Sequence, residues 1–167
     1  TLLLIVPFLL LLSPLLGQKK TDKPNPKKGI KTETISKYEF EEKFGEFNEI
    51  FKGKTIYKYD SNGNEIESSF YDSEGNLTTN PQFGSSKTIS QYDSDGNRVE
   101  WSFYDSDGSL KSKYIYKYDS NGKLVEELDY YEGYLEDKRI YKYDSNGNMV
   151  EMLRWNMLSE KTRDYPL

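Results

Sequence analysis

The chain has no cysteine, no histidine and no alanine among its 167 residues. The lack of cysteine excludes thiol nucleophiles and disulfide staples. With histidine missing too, the usual zinc ligands are gone, and so is the side chain that most readily acts as a base near neutral pH. Without alanine the chain lacks the strongest helix former. It also lacks a large excess of charge, with 23 Lys and Arg against 28 Asp and Glu and a formal net charge of −5. Nucleic-acid binding calls for clustered cations that neutralise phosphates, so no nucleic-acid partner is expected. What the chain does have is 15 Tyr, 8 Phe and 2 Trp, residues that favour strands.

Long apolar runs are confined to the beginning. Thr1–Leu16 reads TLLLIVPFLLLLSPLL and is followed by Gly17. An uncharged apolar stretch ending at a small residue reads as the core of a secretory signal peptide. Residues 1–17 are therefore expected to be a signal peptide, truncated at its start. With Pro7 and Pro14 inside it, the run is short for a span of ~20 residues, so no stable membrane span is expected after cleavage. This predicts an exported chain in the periplasm, at the cell surface or secreted. Residues 18–33 are rich in Lys and Pro and have one bulky aliphatic residue, Ile30. Too little apolar surface is available to offset ordering entropy, and a flexible tether is expected.

The rest is a repeat. YDSNGN (Tyr59–Asn64), YDSEGN (Tyr71–Asn76), YDSDGN (Tyr92–Asn97), YDSDGS (Tyr104–Ser109), YDSNGK (Tyr118–Lys123) and YDSNGN (Tyr143–Asn148) follow one another. The anchors Tyr59, Tyr92, Tyr118 and Tyr143 are separated by 33, 26 and 25 residues, and a second aromatic sits twelve residues after each: Tyr71, Tyr104, Tyr130 and Trp155. The first step is long because residues 79–86 (TNPQFGSS) are inserted. Internal repetition at this period signals a repeat architecture. In each copy the Asp accepts backbone N–H bonds inside a turn, and the Gly supplies a positive φ. A type I turn followed by a left-handed Gly makes a three-residue hairpin loop with a bulge. The expected fold is all-β: an antiparallel meander of tandem β-hairpins in one twisted or curled repeat sheet. Residues 34–54 are expected to be a degenerate capping repeat, 55–162 the sheet domain and 163–167 a tail.

With this loop, Tyr59 is predicted to pair with Glu65 and Lys58 with Ile66. Tyr57, Tyr59 and Tyr71 then share one face with Glu65 and Glu67, while Ile56, Ile66 and Phe70 share the other. A four-residue loop would move Ile66 to the Tyr face, because a one-residue slip swaps every side chain between faces.

The Tyr-x-Tyr-Asp strands, the YDxxGN turns and the Val or Ile after them resemble the YD repeats of the Rhs family. The resemblance runs from Thr55 to about Trp155. In that family tandem YD hairpins form long sheets that spiral into shells in bacterial toxins and related animal adhesion proteins. Four double-hairpin units are too few for a shell. The resemblance therefore implies a fold and an exported setting, not a toxin activity.

Three kinds of chemistry are open to these residues. The acidic loops Asp93–Asn97 and Asp105–Gly108 are similar to calcium loops, but their Gly falls at the fourth position where an EF-hand needs the sixth. A turn accounts for every residue, and neither metal nor cofactor is expected. The acids Glu67, Glu100, Glu126 and Glu151 recur in register, as cross-strand partners of Lys58, Lys117 and Lys142 would, whereas a glycosidase pair is usually unique. No catalytic residue is assigned, and a small glycosidase is the weakest reading. A Tyr ladder remains, with Tyr57, Tyr59, Tyr92, Tyr116, Tyr118, Tyr141 and Tyr143, and with Trp101 and Trp155 outside the pattern. Tyr rings with polar tips suit a glycan or an envelope protein, and the same ladder also serves as glue within a sheet. The expected function is a non-catalytic interaction module of the bacterial cell surface or periplasm, with a carbohydrate-binding module as the alternative.

Overall fold

The structure, a computed structural model, describes residues 26–157. The expected signal peptide, residues 18–25 of the tether and the tail lie outside the described residues. Nine strands are present: β1 (Thr32–Lys43), β2 (Glu46–Tyr59), β3 (Glu65–Asp72), β4 (Lys87–Tyr92), β5 (Arg98–Tyr104), β6 (Leu110–Tyr118), β7 (Leu124–Tyr131), β8 (Tyr134–Tyr143) and β9 (Met149–Asn156). They form one antiparallel meander in chain order, not closed into a barrel, with no helix among the described residues. The expected all-β meander of hairpins is what the chain adopts.

All six YD copies make the expected turn. In the first, Gly63 N–H bonds to the Asp60 carbonyl, Asp60 N–H to the Asn64 carbonyl, and Gly63 sits at φ 84°. Asp60 Oδ1 accepts from the backbone N–H of Asn62 and Asn64 at 2.9 and 2.8 Å. Two connections are tighter. Phe44-Gly45 and Glu132-Gly133 both have positive φ at each residue, as a two-residue type I′ hairpin loop requires.

The register corrects the expectation in one respect. Tyr59 does pair with Glu65, but Lys58 pairs with Glu67, and Ile66 is an extra, bulged residue. The same shift recurs at Val99, Val125 and Val150. The turn alone supplies one bulge, and this second one reverses the faces beyond it. Phe70, opposite Thr55, therefore shares a face with Tyr57 and not with Ile56. Tyr71, opposite Lys54, and Glu67, opposite Lys58, lie on the other side.

One face carries Tyr57, Phe70, Trp101, Phe103, Tyr114, Tyr116 and Tyr141 and is called the aromatic face. The other carries a row of Ile56, Ile89, Ile115 and Ile140, which oppose Ser69, Ser102, Leu128 and Leu153. Along it run cross-strand pairs: Lys58–Glu67 at 2.9 Å, Lys117–Glu126 at 2.7 Å and Lys142–Glu151 at 2.6 Å. Beside them Lys54, Lys87 and Lys113 lie over the rings of Tyr71, Tyr104 and Tyr130 at 5.5–5.9 Å. The expected Lys–Glu pairing is thus present at three of the four repeated glutamates, and these pairs blunt what would otherwise be a wet apolar face.

A single sheet buries little. Phe70 and Phe103 are the buried apolar side chains among the described residues, at 6% and 7% exposure. The inserted segment 79–86 helps by folding onto the aromatic face. It sets Phe83 6.1 Å from both Phe70 and Trp101 and completely buries Ser85 and Ser86. Lys111 Nζ bonds to the Gly84 carbonyl at 2.7 Å and fastens this flap.

Candidate interaction surface

The Tyr ladder divides into two rows with different duties. Tyr59, Tyr92, Tyr118 and Tyr143 close the even-numbered strands just before each turn. Tyr92 donates its hydroxyl to the Glu65 carbonyl, Tyr118 to that of Arg98 and Tyr143 to that of Leu124, at 2.8–2.9 Å. Tyr59 donates to Glu33 at 2.8 Å. The three carbonyl bonds each tie a turn to the previous turn at the same end of the sheet, and Tyr59 ties the first turn to β1. Burial, then the Glu33 carboxylate, drives the Tyr59 pKa well above its ordinary value. These four hydroxyls are spent on the sheet itself.

The second row, Tyr57, Tyr116 and Tyr141, is half-buried on the aromatic face. Trp101 sits among Phe103 (4.4 Å between centroids), Phe83 and Tyr114, with the Arg98 guanidinium over its ring at 4.7 Å. Tyr114 and Tyr116 stack at 6.4 Å. Trp155 stands apart at 43% exposure, near the open edge on β9.

Past Tyr116 the face changes character. Asp129 and Arg154 occupy the repeat position held earlier by Phe70 and Phe103, and Glu127 the one held by Ser68 and Trp101. Arg139 bonds to Glu127 at 2.7 Å and also pairs with Asp137, which accepts from Arg154 Nε at 2.9 Å. Tyr141 adds a hydroxyl bond to Glu127 at 2.7 Å. Glu127 and Asp137 are buried at 6% and 5% exposure. Burial pushes the Asp137 pKa up, but the two arginines outweigh it and hold it below its ordinary value. For Tyr141, burial and the bond to Glu127 raise the pKa to about 12. For Asp129, opposite Asp137 on β8, burial outweighs the attraction of Arg139, and with the nearby Asp137 and Glu127 carboxylates it raises the pKa. Reading the repeats in register reveals this substitution of charge for Phe. The contacts were not legible, because they join residues 12–17 positions apart across strands.

The most exposed aromatic surface lies elsewhere. β2 pairs with β3 only from Gly53 onward, so Tyr38–Lys43 and Glu46–Lys52 pair with each other alone and extend beyond the sheet. Most of the segment expected to be a degenerate capping repeat, residues 34–54, lies in this hairpin. The register places Tyr38, Phe40, Phe47 and Phe51 on one face with Glu42 and Glu49, and Glu39, Glu41, Lys43 and Ile50 on the other. Phe40 and Phe47 are 68% and 71% exposed, and Phe44 at the tip is wholly exposed. The alternation of aromatic and acidic residues in YEFEEKFGEFNEIF is the sequence signal for this amphipathic hairpin. Gly53 permits its departure: at φ 141° it packs so closely on the Tyr71 carbonyl that a Cβ would overlap the oxygen.

Among the described residues no helix is long and apolar enough to cross a membrane, and no group of three or more acidic side chains is placed to hold a metal ion. No protein-family model matches the chain, and a search of curated proteins likewise finds no match.

Proposed function

We propose that this chain is an exported, non-catalytic β-repeat module of the YD-repeat kind that binds another envelope protein at a bacterial cell surface or in the periplasm. The observation that carries the reading is the projecting hairpin. An exposed aromatic surface made of Phe40, Phe44 and Phe47 is the kind of patch that marks a protein contact. Six repeated turns, built from residues that satisfy one another, support the repeat assignment. The apolar first segment supports export.

The test is a binding screen of the whole chain against envelope proteins and a glycan panel, run beside a Phe40→Ser/Phe44→Ser/Phe47→Ser variant. Binding to an envelope protein that the variant loses supports the reading. Silence from both panels, or equal binding by the variant, counts against it. The carbohydrate alternative rests on the half-buried Trp101, Tyr114 and Tyr116 rings, and glycan binding abolished by Trp101→Ala would favour it.

A further inference from the structure

The two edges of the sheet are built differently. β1 carries four glutamates and two lysines along its length, the charged kind of edge that resists strand addition. β9 carries one Glu and one Arg, and both are already engaged, Glu151 with Lys142 and Arg154 with Asp137. Its remaining side chains are largely apolar. Met149, Val150, Met152 and Trp155 are 47%, 64%, 50% and 43% exposed. An end repeat in an array usually has a polar outer surface. β1 also exposes Ile35, Tyr38 and Phe40, but it sets six charged residues among its twelve, whereas β9 has two charges among eight.

The backbone gives the same indication. Met157 N–H bonds to the Glu136 carbonyl, so by alternation the backbone groups of Met152, Arg154 and Asn156 point away from β8. Met149 also occupies the repeat position of Glu65, Arg98 and Leu124, whose carbonyls each receive a Tyr hydroxyl from the next strand. Among the described residues no Tyr reaches Met149. The outer edge of β9 therefore repeats the edge that β7 offers to β8, with no covering strand among the described residues.

We infer that β9 pairs with β9 of a second copy of this chain, antiparallel across a two-fold axis. Antiparallel self-pairing joins the outward backbone groups of both strands and covers both apolar edges at once. With one acid and one base per strand, each satisfied within its own copy, the contact brings together no net like charge. A β1–β1 contact would oppose two net-negative strands. A head-to-tail β9–β1 contact would leave an apolar edge free at each step and grow into a filament, whereas the two-fold contact closes. The resulting sheet ends in a charged β1 at each side, and the two projecting hairpins stand at its far ends. The inference does not depend on what the hairpins bind.

The experiment measures the mass of the whole chain in solution over a range of concentrations, together with single-cysteine cross-linking. The chain has no cysteine of its own, so Met152→Cys or Leu153→Cys, at the centre of β9, gives a clean background. The expected mass is twice that of one chain, with oxidation yielding a covalent dimer at either site and none for Ile35→Cys on β1. Val150→Lys/Met152→Lys should halve the mass while circular dichroism remains that of the folded sheet. A monomer at every concentration overturns the inference, including one whose β9 amides are protected from exchange because another part of the chain covers them. So does a dimer that survives the double-lysine variant in folded form, or one that cross-links through β1.

Discussion

Tyr118 donates its hydroxyl to the backbone carbonyl of Arg98 at 2.9 Å, fastening the end of β6 to the start of β5. Tyr92 and Tyr143 make the same bond to Glu65 and Leu124, so in three of the six YD copies the Tyr links its turn to the previous turn at the same end of the sheet. Removing the hydroxyl with Tyr118→Phe should lower stability by about 1 kcal/mol, the net worth of one hydrogen bond. Tyr118→Ala, which also removes the ring, should cost roughly 3 kcal/mol. Urea unfolding of the three chains checks this, and a Tyr118→Phe chain as stable as its parent would remove the staple from the account.

Gly53 and Gly75 both have positive φ but differ in surroundings. A Cβ at Gly53 overlaps the Tyr71 carbonyl, whereas one at Gly75 meets open space. Gly75→Ala should cost about 1 kcal/mol for left-handed backbone alone. Gly53→Ala should cost more, roughly 3 kcal/mol, because the bulge must also shift. Equal losses in thermal or urea unfolding would show that the hairpin leaves the sheet without needing that close approach.

Two facing aspartates should respond in opposite directions. Asp137 is held in its charged form by Arg154 and Arg139, and Asp137→Ala removes an acceptor from two arginines at a buried site. The expected loss is about 3 kcal/mol. Asp129 is raised by burial, so its charged form is the one disfavoured by folding, and Asp129→Asn should increase stability at neutral pH. Denaturation midpoints at pH 7 decide both, and a destabilised Asp129→Asn would mean that the carboxylate has a stabilising partner.

Acid and alkali should each destabilise the fold through identifiable groups. Asp72, Asp119 and Asp144 lie below their ordinary value of 3.8, chiefly through backbone N–H bonds from Asn76, Lys123 and Asn148. A lowered folded pKa contributes stability above the ordinary value, and this is lost as pH falls through the folded one. Tyr141, Tyr116 and Tyr59 are raised above 10.0, with burial the largest cause in each. For these the unfolded chain ionises first, so stability falls as pH rises above 10. Unfolding monitored across pH, with tyrosinate absorbance at the alkaline end, should show a plateau between the two limbs. Replacing all three aspartates by Asn should flatten the acid limb, and an unchanged limb would point to other groups.

The register shows where sequence reasoning stopped. The loop type at Asp60–Asn64 follows from local chemistry, because Asp, Gly and their spacing act within a few residues. The second bulge at Ile66 does not. It depends on the fit between β2 and β3, and it moved Phe70 and Tyr71 to the opposite faces from those expected. The projecting hairpin was legible as alternation but not as two strands, since a two-residue turn at Phe44-Gly45 has little signature of its own.

The spacing of Tyr, Asp and Gly by itself determined an all-β meander of hairpins, with Lys–Glu pairs expected across strands and no thiol or imidazole chemistry. Periodic residues acting over short range were enough for that. The tertiary structure alone decided which face receives Phe70 and Trp101, that Phe83 from the insertion covers them, and that Glu127, Asp137, Arg139 and Arg154 meet. It also decided that one outer strand is rich in charge and the other poor in it. Each of these outcomes depends on pairing between strands, where one extra residue exchanges the two faces of a sheet.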